Sequence, residues 1–367
     1  MAGTPSDRRG AVIDPDPCMI GTAPRHRGEL ARQAGLIRAL GSPFVAALLE
    51  AGERQLHRAP RTAALIADWP GDPAEAALAM RFNAAIHALA RRGASPALVE
   101  LHARLDGAFD ATLGETMAAE DAFIHHWMLR PTQTNEVGRA AAIVAALMVA
   151  RRRFDLPVEL LELGSSAGLN LNLADYAYDL GGVQAGARGS RLRIAPTWSG
   201  PPPPLAPVEV VSARGVDLHP LDVADAATRE RLLCHVFADQ PDRADRLREA
   251  LTLAQRRPPR IDRGDAATWL AGRLSDPQPD GRGRAVIHSM VYQYLDPDDR
   301  RALVSAMNEA GARAGARRPL FWIRLEWTAA RSAVQLLLTT WPDGETRQLA
   351  TCHPYGAAIA WDGDAWM

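Results

Sequence analysis

The chain has 367 residues, of which 47% are hydrophobic and 23% charged, and its formal net charge is -1 at neutral pH. This length allows one large domain or two ordinary ones, with enough volume for a buried core. The near-zero charge excludes a strong overall field that would attract nucleic acid or an anionic membrane, so we expect neither as a partner.

The start of the chain and its cysteines indicate where the protein works. Residues 1–24 are polar and Pro-rich where a signal peptide would be apolar, and we predict a disordered leader. No apolar run approaches the roughly 20 residues of a membrane helix. Cys18, Cys234 and Cys352 are far apart and form no CxxC pair, which favours a reduced, cytoplasmic setting.

Residues 25–130 are predicted to form an all-helical N-terminal domain. Ala, Leu, Ile and Val recur at spacings of three and four residues, the pattern of amphipathic helices. This pattern covers the segments ELARQAGLIRAL, PFVAALLEAGERQL and PAEAALAMRFNAAIHALARRG, and it returns in NEVGRAAAIVAALMVARRRF just beyond residue 130.

Residues 131–367 are predicted to form a second domain, in which short β-like runs alternate with helical ones. The predicted strands are 158–163, 208–217, 260–263, 285–289, 320–326, 334–339, 348–352 and 357–361, and the predicted helices are 169–180, 226–256, 266–274 and 297–314. This alternation is typical of an α/β, Rossmann-like, doubly wound sheet, mostly parallel. The last three strands have no helix between them and predict an antiparallel C-terminal edge. Residues 181–207, rich in Gly and Pro, are predicted to be an insertion over one rim.

The segment ELGSSAG, residues 162–168, lies where the first strand of this domain ends. Small residues there let a ligand approach the backbone, and ligands bind beyond the carboxyl ends of parallel strands. A dinucleotide fingerprint requires a small residue at position 169, which is Leu169. The segment instead resembles E/D-x-G-x-G-x-G, the first motif of class I S-adenosylmethionine-dependent methyltransferases, with Ser166 at the middle glycine. Glu162 suits a cationic cofactor better than a diphosphate. A tight turn without a ligand is the alternative.

The resemblance to methyltransferases implies roles for polar residues elsewhere. It places Asp217 at the ribose hydroxyls, with Asp222 as an alternative, and Asp265 at the adenine, although Asp265 could equally cap the next helix. Thr134, Asn135 and Arg139 would reach the methionine moiety, unless Thr134 or Asn135 only caps its own helix. The candidate cofactor-binding residues are Thr134, Asn135, Arg139, Glu162, Gly164, Ser165, Ser166, Gly168, Asn170, Asp217, Asp265, Ala266 and Ser289.

His288, at the carboxyl end of the fourth strand, and Tyr292, just beyond it, are the candidate catalytic residues because this end lies over the expected cleft. A base is needed only if the methyl acceptor carries a proton, and a histidine packed in the core is the alternative. The histidines show no metal-ligand spacing, so no metal site is predicted.

Two other functions remain open. GSSAG also fits G-x-S-x-G, the nucleophile elbow of serine hydrolases, with Ser166 as nucleophile and Asp296 and His353 in the right chain order. A non-catalytic protein that binds the cofactor or acts as a scaffold is the third possibility.

A whole-chain resemblance extends from about residue 42 to residue 361. It is carried, in order, by QTNEVGR, LLELGSSAGLNL, RGVDLHPLDV, RGDAATWL, VIHSMVYQYLDPDDR and WPDGE with HPYGAAIAW. Together these segments resemble the bacterial family called domain of unknown function 2332. The resemblance implies a sheet of class I methyltransferase type behind the helical domain. We expect the helical domain to supply a lid or the pocket for a small-molecule acceptor.

Overall fold

The computed structural model describes residue 26 and residues 28–362. The predicted leader, residues 1–24, lies outside the described residues, as does Cys18. Within the described part of the chain, no helix combines the length and the apolar character needed to cross a bilayer.

Residues 29–128 are helical, as the spacing of their apolar residues indicates. The helices are α1 Glu29–Ala39, α2 Pro43–Gln55, α3 Pro60–Ala67, α4 Leu78–Arg91, α5 Pro96–Arg104 and α6 Phe109–Met128. Their apolar faces, with Leu48, Phe82 and Leu113 among them, meet in one core. Phe237 and Tyr355, from the second half of the chain, belong to the same core. The helical half is therefore packed firmly against the rest of the molecule.

The second half contains all the described strands, interspersed with five α-helices. The strands are β1 Val158–Leu163, β2 Ala177–Leu180, β3 Val183–Gly186, β4 Arg193–Ile194, β5 Thr197–Ser199, β6 Val210–Asp217, β7 Ile261–Arg263, β8 Gly283–Ser289, β9 Leu320–Trp327, β10 Val334–Trp341, β11 Glu345–Cys352 and β12 Ala358–Trp361. The helices are α7 Ala140–Phe154, α8 Ala226–Cys234, α9 Pro241–Arg256, α10 Ala266–Ser275 and α11 Pro297–Gly311. Each of the eight predicted strands is present, within a few residues of its expected ends.

Nine strands form one large sheet in the order β5-β12-β11-β10-β9-β8-β1-β6-β7. The five strands β7-β6-β1-β8-β9, in this order across the sheet, are all parallel. The strands β9-β10-β11-β12 pair antiparallel. The predicted antiparallel C-terminal strands are thus confirmed, but they do not form the edge. The edge strand is β5, which pairs with β12 in parallel.

Helices cover both faces of this sheet, because the parallel strands are apolar on both sides. On one face α7, whose residues 140–150 are all buried, and α9 pack against a core that contains Leu160 of β1. On the other face α10 and α11 pack around Leu161 and Leu163. Side chains alternate along a strand, so Glu162 points toward the α7 face together with Leu160.

The helix predicted for residues 169–180 is confirmed only in its first half, and as a 3-10 helix. The chain forms a short 3-10 helix, Leu169–Asp175, and then β2. The hydroxyl of Tyr178 donates to the carbonyl of Leu173 at 2.7 Å, and that of Tyr176 donates to the carbonyl of Leu169, so both buried tyrosines close the segment back on itself. Alternate burial of Tyr178 and Leu180 is a strand period.

The insertion 181–207 is more ordered than predicted. Gly181 and Gly182, both with positive φ, connect β2 to β3 in a two-residue hairpin, and β3-β2-β4 form a second small sheet. The helical stretch predicted for residues 226–256 is confirmed except for a break at 235–240, where it divides into α8 and α9. Pro241 begins α9 because proline is favoured at the first helical position.

Candidate functional site

The turn after β1 lies where the direction of the sheet topology reverses. From β1 the chain proceeds to β6 and β7 on one side, and it then crosses to β8 and β9 on the other. In open α/β sheets, ligands bind in the crevice beyond the carboxyl ends of the strands at such a switch point. The crevice expected here lies between the ends of β1 and β8, next to Gly164.

The backbone of the turn is left-handed at alternate residues. Gly164, Ser166 and Gly168 have φ values of 65°, 54° and 67°. These are the three glycine positions of E-x-G-x-G-x-G, so the motif corresponds to a backbone requirement. Ser166 occupies the one that is not glycine, and this conformation costs a non-glycine residue about 1–2 kcal/mol.

The amide groups of the turn already have acceptors within the protein. The N–H of Ser166 donates to Asp217 Oδ2 at 2.8 Å, and the N–H of Leu169 donates to Asn135 Oδ1 at 2.9 Å. The N–H of Gly168 donates to the carbonyl of Ser165 at 2.7 Å. A phosphate group needs such amides free, so the turn does not offer a ready phosphate site.

Glu162 is the buried carboxyl group beneath the turn. Its side chain accepts from Asn170 Nδ2 at 3.3 Å through Oε1. Among the described residues neither Glu162 Oε2 nor Asn170 Oδ1, both buried, has a hydrogen-bond partner. Burial raises the pKa of Glu162 to about 8. The carboxyl group is therefore mostly protonated at neutral pH. A bound ammonium group would favour its charged form and would donate to the two oxygens that lack partners.

The segment after β8 covers the turn. A Cβ atom on Gly164 would lie 2.4 Å from Val291 Cγ2, so glycine is required for this close packing. The N–H groups of Val291 and Tyr292 donate to Glu326 Oε1 at 3.0 and 3.3 Å. Glu326 on β9 thus holds the covering segment in place.

His288 and Tyr292, the candidate catalytic residues, are stacked with ring centroids 6.0 Å apart. His288 Nδ1 lies 2.6 Å from Glu326 Oε1, and Trp322 Nε1 donates to His288 Nε2 at 3.0 Å. Because Nε2 accepts, Nδ1 carries the proton and donates to Glu326. His288 can take a substrate proton only if its bond with Trp322 breaks.

The two acidic residues predicted to hold the nucleoside have structural contacts. Asp217 accepts from the N–H of Ser166 and, at 2.8 Å, from that of His219. Asp265 caps α10 by accepting from the N–H of Thr268 at 2.8 Å, and Ala266 is the first residue of that helix. Asp222, the alternative to Asp217, accepts from Ala224 N–H in an exposed turn.

The polar segment before α7 links three parts of the molecule. Asn135 accepts from Leu169, and Thr134 is half-buried. The expectation that Thr134 or Asn135 caps its own helix is wrong, because Glu136 accepts from the N–H of Gly138 at 3.1 Å and begins the 3-10 helix Val137–Arg139. Asn135 instead bonds across to the turn.

Arg139 connects β8 to the C-terminal HPYG segment, residues 353–356. Its Nε donates to the carbonyl of Pro354 at 2.9 Å, and its Nη1 donates to the carbonyl of Ser289 at 3.5 Å. Gly138 and Gly356 lie in direct backbone contact beside it, since a Cβ on Gly356 would be 2.3 Å from the carbonyl of Gly138. The segments NEVGR and HPYG therefore form one packed unit.

Several residues that build the site carried no signal in the sequence. Glu136 pairs with Arg243 at 2.6 Å, and both side chains are buried. Gln133 accepts from Ser166 Oγ at 3.4 Å and donates to the carbonyl of His219 at 2.9 Å. The glycine in each of NEVGR and HPYG is the sequence feature that indicates a close approach of the two backbones, because glycine has no side chain.

A cleft of about 400 Å³ lies to one side of this network. Its walls include Arg243, Arg246, His353 and Tyr355, and it does not include the residues of the turn. Arg243 in the cleft wall pairs with Glu136. The next residue back in the chain, Asn135, accepts from the turn residue Leu169, so this ion pair connects the cleft to the turn.

The residues of the hydrolase alternative have separate partners. Asp296 caps α11 by accepting from the N–H groups of Asp298 and Asp299, and His353 Nδ1 accepts from the N–H of Tyr355 at 3.2 Å. Within the described part of the chain, no hydrogen bond joins Ser166, Asp296 and His353. They do not form a triad in this arrangement.

Fold and site together define a mixed α/β protein with a large, mostly parallel sheet and a candidate ligand site at its topological switch point. The chain belongs to the family described as an uncharacterized protein conserved in bacteria, DUF2332, whose model matches residues 27–361. No curated protein and no solved structure matches the chain.

Proposed function

We propose that the protein binds S-adenosylmethionine at the turn 164–168 and methylates a small-molecule acceptor. The observation that carries this proposal is Glu162 at the switch point of the sheet, a buried carboxyl group with one oxygen that lacks a hydrogen-bond partner among the described residues. A cationic ligand there would gain a charge partner and would satisfy a buried acceptor.

The strand order supports a nucleoside-type cofactor. Numbered along the chain, the parallel strands β7-β6-β1-β8-β9 have the order 3-2-1-4-5, as in doubly wound nucleotide-binding sheets. The occupied amides of Ser166 and Leu169 argue against a diphosphate, as does Leu169 itself. The turn offers the carboxyl group of Glu162, and the N–H groups of Ser166 and Leu169 are already hydrogen-bonded. This favours a nucleoside cofactor without phosphate groups.

The residues around the turn fit such a cofactor. Glu162 and Asn170 would accept from its ammonium group, and Asp217 retains lone pairs for the ribose hydroxyls beside its two bonds to N–H groups. Ser289 and Arg139, which are also predicted to bind the cofactor, meet at the end of β8, where Arg139 Nη1 donates to the carbonyl of Ser289. S-adenosylmethionine, when bound, supplies a methyl group on a sulfonium, and the protein has to align the acceptor and exclude water.

The helical half provides a cover for the acceptor. Arg331, in the turn between β9 and β10, pairs with Glu75 of the helical half at 3.1 Å. Arg81 of α4 donates to the carbonyl of Arg130 at 2.8 Å and so holds the segment that leads into the site. The acceptor would lie between these contacts and the segment after β8, where Tyr292 stands over His288.

Isothermal titration calorimetry with S-adenosylmethionine and S-adenosylhomocysteine tests the proposal. We expect the wild type to bind both, and Glu162→Gln to bind at least tenfold more weakly, about 1.4 kcal/mol, because an amide cannot pair with an ammonium charge. Glu159→Gln on the same strand is the matched control, since Glu159 pairs with Arg284 at the opposite end of β1. Absence of binding by the wild type would overturn the proposal.

A serine hydrolase is the second candidate, and one observation favours it. Ser166 adopts a left-handed backbone between a strand and a helical turn, as a nucleophile elbow requires. Covalent labelling of Ser166 by a fluorophosphonate, absent in Ser166→Ala, would place this function first. Cofactor binding without turnover of any small-molecule acceptor would instead favour the non-catalytic scaffold.

A further inference from the structure

Three arginines meet where the helical half joins the sheet. Arg81 lies on α4, Arg130 follows α6, and Arg231 lies on α8. Arg81 Nη1 donates to the carbonyl of Arg130 at 2.8 Å, and Arg231 Nη2 donates to the carbonyl of Pro131 at 2.7 Å. Because these carbonyls belong to consecutive residues, the two guanidinium groups are close neighbours.

No carboxylate of the described chain forms a salt bridge with any of the three, in contrast to Arg91 on the same helix α4, which pairs with Glu230 at 2.8 Å. Among the described residues, the hydrogen-bond partner of the Arg130 guanidinium group is a histidine, His126, at 3.3 Å. Backbone carbonyls satisfy donor groups but do not neutralise charge. The cluster therefore concentrates positive charge in a protein whose net charge is -1.

Burial makes this charge costly. Arg81 and Arg231 are half-buried, and Arg231 Nε is fully buried with no partner among the described residues. Burial lowers the pKa of Arg81, and burial followed by the charges of Arg130 and Arg81 lowers the pKa of Arg231. An anion bound between them would offset both the repulsion and the missing hydrogen bond.

The cluster adjoins the Gly/Ser turn. Gln133, which accepts from Ser166 Oγ, is two residues after Pro131, and two residues of chain span at most about 7 Å. A small molecule anchored at the arginines would thus reach the crevice between β1 and β8.

We propose that Arg81, Arg130 and Arg231 bind the anionic group, a carboxylate or a phosphate, of the small-molecule acceptor. Guanidinium groups match both anions through paired, charge-assisted hydrogen bonds. The role of this anion as part of an acceptor rests on the proposed methyltransferase function, whereas anion binding itself does not.

Calorimetric titration of the full chain with sodium phosphate and with sodium malonate, at an ionic strength held constant with sodium chloride, tests the site. We expect saturable binding of at least one of the two anions, weakened at least tenfold in Arg81→Gln and Arg231→Gln. Arg91→Gln is the matched control and should bind within twofold of the wild type. Phosphate binding alone would identify a phosphate group, and malonate binding alone a carboxylate.

Two further variants keep the test valid if Arg81→Gln or Arg231→Gln does not fold. Arg130→Gln keeps the hydrogen bonds to the carbonyls of residues 130 and 131, and it should still weaken anion binding severalfold. Arg81→Lys should retain part of the anion binding because the positive charge remains. The proposal is overturned if neither anion binds the wild type, or if the folded glutamine variants bind as the wild type does.

The two proposals fail separately. Anion binding without S-adenosylmethionine binding would remove the methyltransferase function and leave the arginine site standing. S-adenosylmethionine binding without anion binding would do the reverse, because Glu162 and the arginines contact different groups.

Discussion

Glu136 and Arg243 form a buried ion pair, with a separation of 2.6 Å, between residues 107 positions apart in the chain. Arg243 also lies 3.7 Å above the ring of Tyr355. One guanidinium group thus joins the segment before α7, helix α9 and the HPYG segment.

Removing one member of this pair should destabilise the protein strongly. Glu136→Gln or Arg243→Met leaves an uncompensated buried charge, and we expect a loss of about 3–5 kcal/mol in the free energy of unfolding. The double variant should lose less than the sum of the two single variants, because neither charge remains. Urea denaturation followed by circular dichroism measures all three, and additive losses would show that the pair is not coupled.

The same pair predicts sensitivity to acid. Burial alone would raise the pKa of Glu136, but the charges of Arg243 and Arg139 hold it below its usual value. A carboxyl group with a lowered pKa stabilises the fold above its unfolded pKa, and this contribution is lost as the pH falls through the folded value. Stability should therefore fall below about pH 4.5, and less steeply in Glu136→Gln.

Glu162 predicts the opposite dependence on pH. Its pKa is about 8 in the folded protein against 4.5 unfolded, so its contribution to stability is lost as the pH rises from about 4.5 to 8. Glu162→Gln resembles the neutral acid and should be more stable than the wild type at pH 7, by up to about 3 kcal/mol. Thermal melts at pH 5 and pH 8 check this. A variant that is less stable at both pH values would contradict this prediction.

The contact between Gly138 and the HPYG segment predicts a position intolerant of any side chain. A Cβ on Gly138 would lie 2.5 Å from the carbonyl oxygen of Tyr355, so Gly138→Ala should cost at least about 2 kcal/mol. The matched control is Gly272→Ala in α10, where a Cβ has open space and should add roughly 0.5–1 kcal/mol of stability. Equal stabilities of the two variants would contradict the packing described.

Ser166→Gly distinguishes the two enzymatic functions. Glycine relieves the left-handed backbone, so the variant should gain about 1 kcal/mol and retain cofactor binding. Ser165→Gly is the contrast, because the buried Ser165 hydroxyl donates to the carbonyl of Glu162 at 3.0 Å and its loss should destabilise the turn. The hydrolase would be favoured if the wild type binds no cofactor and Ser166→Gly loses its reaction with fluorophosphonate.

Eight of the nine described strands of the large sheet could be predicted because they are short apolar runs bounded by Pro, Gly or Asp, whereas the three-residue strand β5 was missed. Strand β1 matches the expected range of 158–163, and the buried Glu162 was found because it directly precedes the turn. The small sheet was missed because the segment around Tyr176 and Tyr178 fits a helical pattern as well as a strand pattern. Only tertiary burial of the two rings decides between them.

The contacts that complete the site could not be predicted, since they join distant parts of the chain. Glu326 lies 38 residues from His288, which it holds, and nothing local in WIRLEW indicates this partner. The occupied amides of the turn depend on Asn135 and Asp217, whose side chains looked equally suited to a cap or a ligand.

The pairing of β5 with β12 has a consequence for how the molecule is made. Trp198 of β5 stacks on Trp361 of β12 with ring centroids 5.4 Å apart, and Gly200 lies against the backbone of Trp361. During synthesis β5 leaves the ribosome long before β12, and nearly half of the chain separates them. The edge strand β5 therefore has no partner in the large sheet until residues 358–361 of β12 have been synthesised, so the pairing of these two strands is a late step in assembly of the sheet.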